Sequence, residues 1–360
     1  PVILSVERRI PHRPGLGILR STLRMTGELG ATIKGMRLLV TGGAGYIGSH
    51  TVRELVRQGH DVTVFDNLRI GHRAAVSVPI EHGELADARR IAEVLGSAQF
   101  EAVLHLAAYA IVGESMAEPR TYFSHNVGGS INLLNAMLDA NVKLLVFSST
   151  SEVYGEAQYL PLDENHPKLP TNPYGESKWM IEQVLRRYST SYGLRSISLR
   201  YFNAAGAAED GSIGEAHRHE SHLIPAAMQG AMGRRPFQFT CSAVDTPDGS
   251  TIRDYIHVLD LASAHALALD ALERGHDTAA YNVGLGRGYS TRLVVDTVQR
   301  VADKLFPTSE GTPREGEPAE KYAATDLIQR ELGWRPRHDL ESMVRSAWLW
   351  HSSHPAGFED

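Results

Sequence analysis

Thr41-Gly42-Gly43-Ala44-Gly45-Tyr46-Ile47-Gly48-Ser49 is the stretch on which the fold turns. It satisfies G-x-G-x-x-G through Gly43, Gly45 and Gly48, and G-x-x-G-x-x-G through Gly42, Gly45 and Gly48. The apolar run Arg37–Val40 before it reads as a strand. His50–Gln58 after it reads as a helix with Val52, Leu55 and Val56 on one face. Glycines belong where a turn is tight and where backbone must touch a pyrophosphate seated at a helix N-terminus. A second strand, Asp61–Phe65, ends in Asp66, 18 residues past Gly48. A carboxylate there accepts from ribose hydroxyls and repels a 2′-phosphate, so the expected cofactor is NAD. Arg69 and Arg73 follow closely and could relax that preference.

Outward from this unit the pattern repeats. Ala102–Leu106, Lys143–Phe147 and Arg195–Arg200 read as further strands, with helices over Ala88–Leu95, Asn126–Ala140 and Ser177–Ser191 between them. Such alternation implies βαβ units, a parallel sheet and helices on both faces. Residues 204–222, rich in Gly, Ala, His and Glu, read as a long functional loop. The expected architecture is a Rossmann-type, doubly wound α/β domain over 36–203. A smaller mixed α/β lobe over 204–360 follows, with segments returning to the first domain. With 360 residues, two domains is also the expectation from length.

Composition narrows the class. Hydrophobic residues make up 42% and charged residues 22%, enough apolar side chain for a core and unlike a disordered chain. The formal charge of −6 carries no basic footprint for nucleic acid, and no apolar run is long enough to span a membrane. The single cysteine, Cys241, excludes an intrachain disulfide and fits a cytoplasmic protein, where it reads as a small buried hydrophobe. Residues 1–35 differ. They hold six basic residues against two acidic ones and no clean apolar period, and read as a poorly ordered extension outside the functional unit.

The reacting groups lie in Tyr174-Gly-Glu-Ser-Lys178. Asn172 and Pro173 are a good N-cap and first-turn pair, so a helix starts here and sets Tyr174 and Lys178 on one face at i and i+4. A cation beside a phenol favours the phenolate. Lowering a tyrosine by about three units takes roughly 4 kcal/mol, to which Lys178 and a positive nicotinamide would both contribute. Thr150, in Ser148-Ser149-Thr150-Ser151-Glu152, leaves the carboxyl end of a strand, where open parallel sheets bind ligands. A hydroxyl there can bond a substrate oxygen beside Tyr174.

These motifs resemble the extended short-chain dehydrogenase/reductase superfamily and, within it, the UDP-glucose (UDP-galactose) 4-epimerase family, from Met36 to about Gly357. The resemblance implies an isomerase that binds NAD through Gly42, Gly45, Tyr46, Ile47, Gly48, Asp66, Asn67, Glu84, Leu85, Leu106, Ala107, Ala108, Asn126, Lys178 and Phe202. It implies a UDP-sugar held by Thr150, Tyr174, Asn203, His222, Leu223, Arg253, Arg314 and Glu317, with the two arginines on the diphosphate. Tyr174, Lys178 and Thr150 would be catalytic. Tyr174 takes the proton of the C4 hydroxyl, hydride passes to NAD, and the 4-keto sugar turns over and takes the hydride back on its other face. A homodimer is implied as well, with Trp179–Ser191 as part of its surface.

The chain departs from the family pattern at four places. Ala110 stands where some members have Lys, Ser221-His222 replaces an amide pair, Glu317 replaces Asp, and Lys321 occupies the position that admits or excludes N-acetylated sugars. A bulky, charged Lys321 implies poor use of UDP-N-acetylhexosamines. Thr150-Ser151-Glu152 also resembles the Thr-Asp-Glu of 4,6-dehydratases and the Thr-Ser-Glu of UDP-glucuronate decarboxylases, which are the alternative activities on this scaffold. A non-catalytic NAD-sensing protein is a further alternative, opposed by the retained Tyr174, Lys178 and Thr150. His217, His219 and His222 lack the H-E-x-x-H spacing, so no metal is expected.

Overall fold

In the computed structural model, residues 35–217, 220, 222–240, 244–312 and 318–358 are described. Residues 1–34, on which the expectation of a poorly ordered extension falls, lie outside the described residues, as do Cys241, His219, Ser221, Arg314 and Glu317. The chain runs β1 (Arg37–Thr41), α1 (Tyr46–Arg57), β2 (Asp61–Asp66), β3 (Ile80–His82), α2 (Ala88–Ser97) and β4 (Ala102–His105). Helices α3 (Val112–Ala117) and α4 (Pro119–Tyr122) lead through a π-helical turn, Phe123–Gly128, into α5 (Gly129–Asp139). Then come β5 (Leu144–Thr150), α6 (Pro173–Tyr192), β6 (Arg195–Tyr201) and β7 (Asn203–Ala205). After a long loop follow α7 (Leu223–Ala231), β8 (Phe237–Phe239), β9 (Ile252–His257), α8 (Val258–Glu273), β10 (Ala279–Val283), β11 (Gly288–Ser290) and α9 (Thr291–Ala302). The chain closes with β12 (Thr308–Glu310), β13 (Glu320–Lys321), α10 (Asp326–Leu332) and α11 (Leu340–Ser353).

Seven parallel strands form the main sheet in the order β10-β6-β5-β4-β1-β2-β3. This is the Rossmann-type α/β sheet, and its order reverses between β1 and β4, where such sheets open a crevice for ligands. Strand residues alternate between two cores, which is why the strands read as unbroken apolar runs. Leu38, Val40, Val62, Val64, Ala102 and Leu104 face α1 and α8. Leu39, Phe65, Val103, Leu145 and Phe147 face α2, α5 and α6. A third core joins α7, α9 and α11 to β8 and β9.

Local chemistry explains the boundaries. Helix α6 starts where the Asn172 side chain accepts from Gly175 N at 2.8 Å with Pro173 in the first turn, and it stops at Gly193 in the left-handed region. Helix α1 begins at Tyr46, four residues before the apolar period becomes visible, because its first turn is the glycine turn itself. The helix expected from Asn126 instead begins as the π-turn. Strands β3 and β10 carry too few alternating residues to stand out in the sequence, yet they extend the sheet at both edges.

One buried ion pair ties these elements together. Arg200 on β6 donates to Glu182 on α6 through Nε (2.9 Å) and Nη2 (2.5 Å), with both side chains 5% exposed or less. Ser149 Oγ donates to the same carboxylate at 2.6 Å, and Arg200 Nη1 donates to the Tyr154 hydroxyl at 3.0 Å. Glu182→Ala leaves a buried guanidinium without its counter-ion and should destabilise the protein by about 3–5 kcal/mol. Urea denaturation of the variant against the wild type measures this.

Candidate active site

The glycine turn sits at the carboxyl end of β1. Gly42 has φ +71°, and a Cβ there would lie 2.5 Å from Ala107 N, so only glycine lets the turn meet the chain leaving β4. A Cβ on Gly48 would lie 2.1 Å from Gly42 O. Gly45 differs, since its side meets only Gly42 O at 3.4 Å and is open. Gly45 is also the N-cap of α1, with no side-chain cap and no acid in the first turn. An open glycine face at an uncapped helix N-terminus fits a diphosphate.

Asp66, at the end of β2, accepts from Ala44 N (3.0 Å) and Leu68 N (2.8 Å), and burial pushes its carboxyl above the ordinary value. Asn67 donates to Glu84 at 3.0 Å, which gathers the three residues expected around an adenosine. Arg69 lies over the Tyr109 ring at 4.4 Å and beside Glu114, while Arg73 donates to Val76 O at 2.9 Å. Both arginines are thus engaged elsewhere, and the Asp66 preference for an unphosphorylated ribose stands. These features fit NAD.

The remaining cofactor candidates frame this crevice. Leu106 N donates to Thr41 O at 3.0 Å, carrying Leu106, Ala107 and Ala108 beside the glycine turn, while Asn132 holds the Leu85 carbonyl at 3.0 Å. Ile47 packs into the α1 core, and the Tyr46 hydroxyl donates to Gly206 O at 2.6 Å. The Asn126 amide exchanges hydrogen bonds with both backbone groups of Tyr109 (2.9 and 3.0 Å) and donates to Ser177 Oγ at 3.1 Å. It therefore binds the post-β4 loop to α6. His105, between Thr41 (2.7 Å) and Ser130 (2.8 Å), does the same for β1 and α5.

Tyr174 and Lys178 emerge from α6 against the end of β5, and both are buried. The Thr150 hydroxyl lies close enough to the Tyr174 phenol to favour its ionisation, so the three expected catalytic side chains are neighbours. Burial, helped by Tyr201 and Glu152, pushes Tyr174 well above the ordinary tyrosine value against the opposing Thr150 bond. Without a bound cofactor Tyr174 is therefore a neutral phenol. Lys178 Nζ donates to Ser148 O at 2.8 Å and lies 6.0 Å from the Tyr174 ring, and burial lowers its ammonium to about 7.

On the opposite side, Phe202 is buried and Asn203 donates to Asp254 O at 2.7 Å. Arg253, on β9, pairs in register with Lys321 on β13 and donates to Ile252 O and Ala319 O. Lys321 Nζ donates to Glu152 Oε1 at 2.7 Å, while Asn172 donates to Glu152 Oε2 at 2.9 Å. Burial opposes ionisation of Glu152, yet Lys321, Asn172 and Arg253 outweigh it and hold the carboxyl below its ordinary value. Leu223 opens α7. His222 turns to Glu215, beside His217 and Glu220, within the loop.

The sequence reading missed Glu182 and Asp254. Glu182 continues the spacing 174, 178, 182 along one buried face, and a charge there signals a partner such as Arg200, itself buried in β6. Asp254 accepts from Leu285 N, Gly286 N and Ala323 N, and burial raises its carboxyl to about 7. Nothing in the local sequence announces that role.

Lys178 also makes a pH prediction. At pH 6 its ammonium is protonated in folded and unfolded chains alike, and the folded state bears the whole burial penalty. Between about 7 and the ordinary value near 10.4 the unfolded chain holds the extra proton, so stability rises with pH. Lys178→Met removes this dependence. Urea melts of cofactor-stripped protein should show wild type gaining about 2–3 kcal/mol relative to the variant between pH 6 and pH 9.

Comparison with known proteins agrees with this geometry. Residues 38–284 match the model of the NAD dependent epimerase/dehydratase family. The UDP-glucose 4-epimerase of Lacticaseibacillus casei is 43% identical over 329 residues, covering 90% of this chain and 99% of that protein. A crystal structure of a UDP-glucose 4-epimerase superposes with a TM-score of 0.88 at 41% identity, covering 90% of this chain and all of that one. The Brucella ovis UDP-glucose 4-epimerase in complex with NAD gives 0.85 at 41% identity, over 87% of this chain and 97% of that one.

Proposed function

The chain belongs to the NAD dependent epimerase/dehydratase family, and we propose that within it the protein inverts carbon 4 of a UDP-sugar, with UDP-glucose and UDP-galactose as the pair. The observation that carries this reading against the dehydratases is the Glu152–Lys321 ion pair. A dehydratase needs an acid and a base beside the sugar. Here the first of those positions is Ser151, and both Glu152 oxygens are engaged, by Lys321 and Asn172. What is left to move protons is Tyr174 with Thr150 and Lys178.

NAD, when bound, supplies the acceptor for the C4 hydride and returns that hydride to the opposite face of the sugar. Tyr174 Oη removes the proton of the C4 hydroxyl and later returns it. Thr150 Oγ1, beside the phenol, orients that oxygen. Lys178, anchored on Ser148 O, holds positive charge against the phenol. Arg253, with Arg314, binds the diphosphate and leaves the sugar free to turn. Asn203, Leu223 and Glu317 complete the nucleotide side, and the part of the chain from 204 onward supplies most of this lobe. We propose a cytoplasmic location as well, which the single cysteine supports. No helix among the described residues is long and apolar enough to cross a membrane.

Product analysis tests the assignment. Tyr174→Phe should lower kcat for UDP-galactose to UDP-glucose conversion by about 10²–10⁴ while NAD stays bound; near-normal turnover overturns the role of Tyr174. In the same assay, wild-type kcat/KM for UDP-N-acetylglucosamine should fall at least about tenfold below that for UDP-glucose, because Lys321 is fixed by its ion pair.

The same reading includes a homodimer. Met116 on α3, Phe123 on the π-turn and Met180 on α6 are exposed apolar side chains on elements that contact one another. Sedimentation equilibrium should give twice the chain mass for the wild type and a shift toward one chain for Met180→Asp.

A further inference from the structure

The loop between β7 and α7 folds so that four of its side chains converge. Glu215, His217, Glu220 and His222 each bring one atom, a carboxylate oxygen or Nδ1, and these atoms all lie within 4.8 Å of one another. His217 Nδ1 lies 3.2 Å from Glu215 Oε1 and 3.5 Å from Glu220 Oε2. His222 Nδ1 bonds Glu215 Oε1 and lies 3.8 Å from Glu220 Oε1. Glu215 is 3% exposed. The pattern is symmetric in sequence, E-x-H-x-x-E-x-H, and it omits His219, whose spacing pointed away from metal. We propose that these four residues bind one divalent transition cation of the zinc class, which staples the loop rather than reacting.

The donor set supports that chemistry. Two imidazole nitrogens with two carboxylate oxygens suit zinc, and bonds of about 2.0–2.1 Å place tetrahedral donors about 3.3 Å apart. His217 Nδ1 already stands at such separations from Glu215 and Glu220, whereas His222 bonds Glu215 directly, so binding an ion means opening that one contact and drawing in donors that lie within 4.8 Å of one another.

The position gives the cation a purpose. The loop is tied to the rest of the fold by Tyr46 Oη to Gly206 O (2.6 Å), by His72 Nε2 with Ala216 O (2.9 Å) and by Trp350 Nε1 to Glu215 O (3.0 Å). His217 lines a small cavity together with Gly45 and Tyr46 of the glycine turn, and His222 is the N-cap residue of α7. A bound cation would fix this segment between the cofactor crevice and the third core. The inference does not depend on which sugar the protein turns over.

The test uses the NAD-loaded, tag-free protein, dialysed against a chelator and titrated with Zn²⁺ and with Co²⁺. Expected are 1:1 zinc binding, the intense visible absorption of four-coordinate cobalt, and a rise of several degrees in melting temperature. Glu220→Gln and His217→Asn should each weaken zinc binding by at least about tenfold, with NAD content and far-ultraviolet dichroism as checks on folding. Absence of saturable zinc binding in the wild type would mean that the four residues serve as ion pairs only and would overturn the proposal. Unchanged zinc affinity in both folded variants would overturn it equally, and the wild-type titration decides the matter if a variant does not fold.

Discussion

The buried Arg200–Glu182 pair determines where the chemistry can take place. A helix lying on a sheet through apolar contacts can rotate by several degrees at little cost, since such contacts have no direction. A bidentate ion pair has direction. Glu182 meets Arg200 of β6 and Ser149 of β5 together, so the carboxylate pins α6 about its own axis. Tyr174 and Lys178 lie two turns and one turn before Glu182 on the same face. Fixing Glu182 therefore fixes the phenol against Thr150 and the ammonium against Ser148 O. Either charge alone would be strongly destabilising at this depth, which couples correct placement of the site to folding.

The same network reaches the later part of the chain. Arg200 bonds Tyr154, Tyr154 donates to Asn282 on β10, and the Asn282 amide donates to Leu162 O. The segment that follows β5 and the strand that returns from the second half of the chain are thus held in one hydrogen-bonded system. Asp254 plays the matching part on the other side, collecting backbone N–H groups from the segments after β10 and β13.

What was legible in the sequence was whatever depends on neighbours along the chain. The glycine turn, Asp66 at a strand end, the Asn172-Pro173 cap and the 174/178 spacing are local patterns, and each appears where its pattern places it. Glu182, Asp254 and the Glu152–Lys321 pair were not legible, because their meaning lies in partners far away, 169 residues apart for Lys321 and Glu152. Short strands such as β3 and β10 escaped because three to five residues in a buried sheet carry no period of their own. His222 bonds Glu215, a partner that its place before α7 does not announce.

The resting state of the site also follows from magnitudes. Burial raises Tyr174 and lowers Lys178, so the ligand-free pocket favours a neutral phenol beside an ammonium that has lost much of its charge preference. A full unit charge 6.0 Å from the ring is worth about 3 kcal/mol at an effective dielectric near 20, or about two pK units. Near neutral pH Lys178 carries only part of that charge, so it cannot by itself make Tyr174 a base. The balance has to come from the positive charge of oxidised NAD, and a phenolate so formed would in turn favour the charged form of Lys178. In the mechanism proposed above, Tyr174 becomes a base only when the cofactor crevice is filled, a dependence that arises from burial of the pair and requires no moving part.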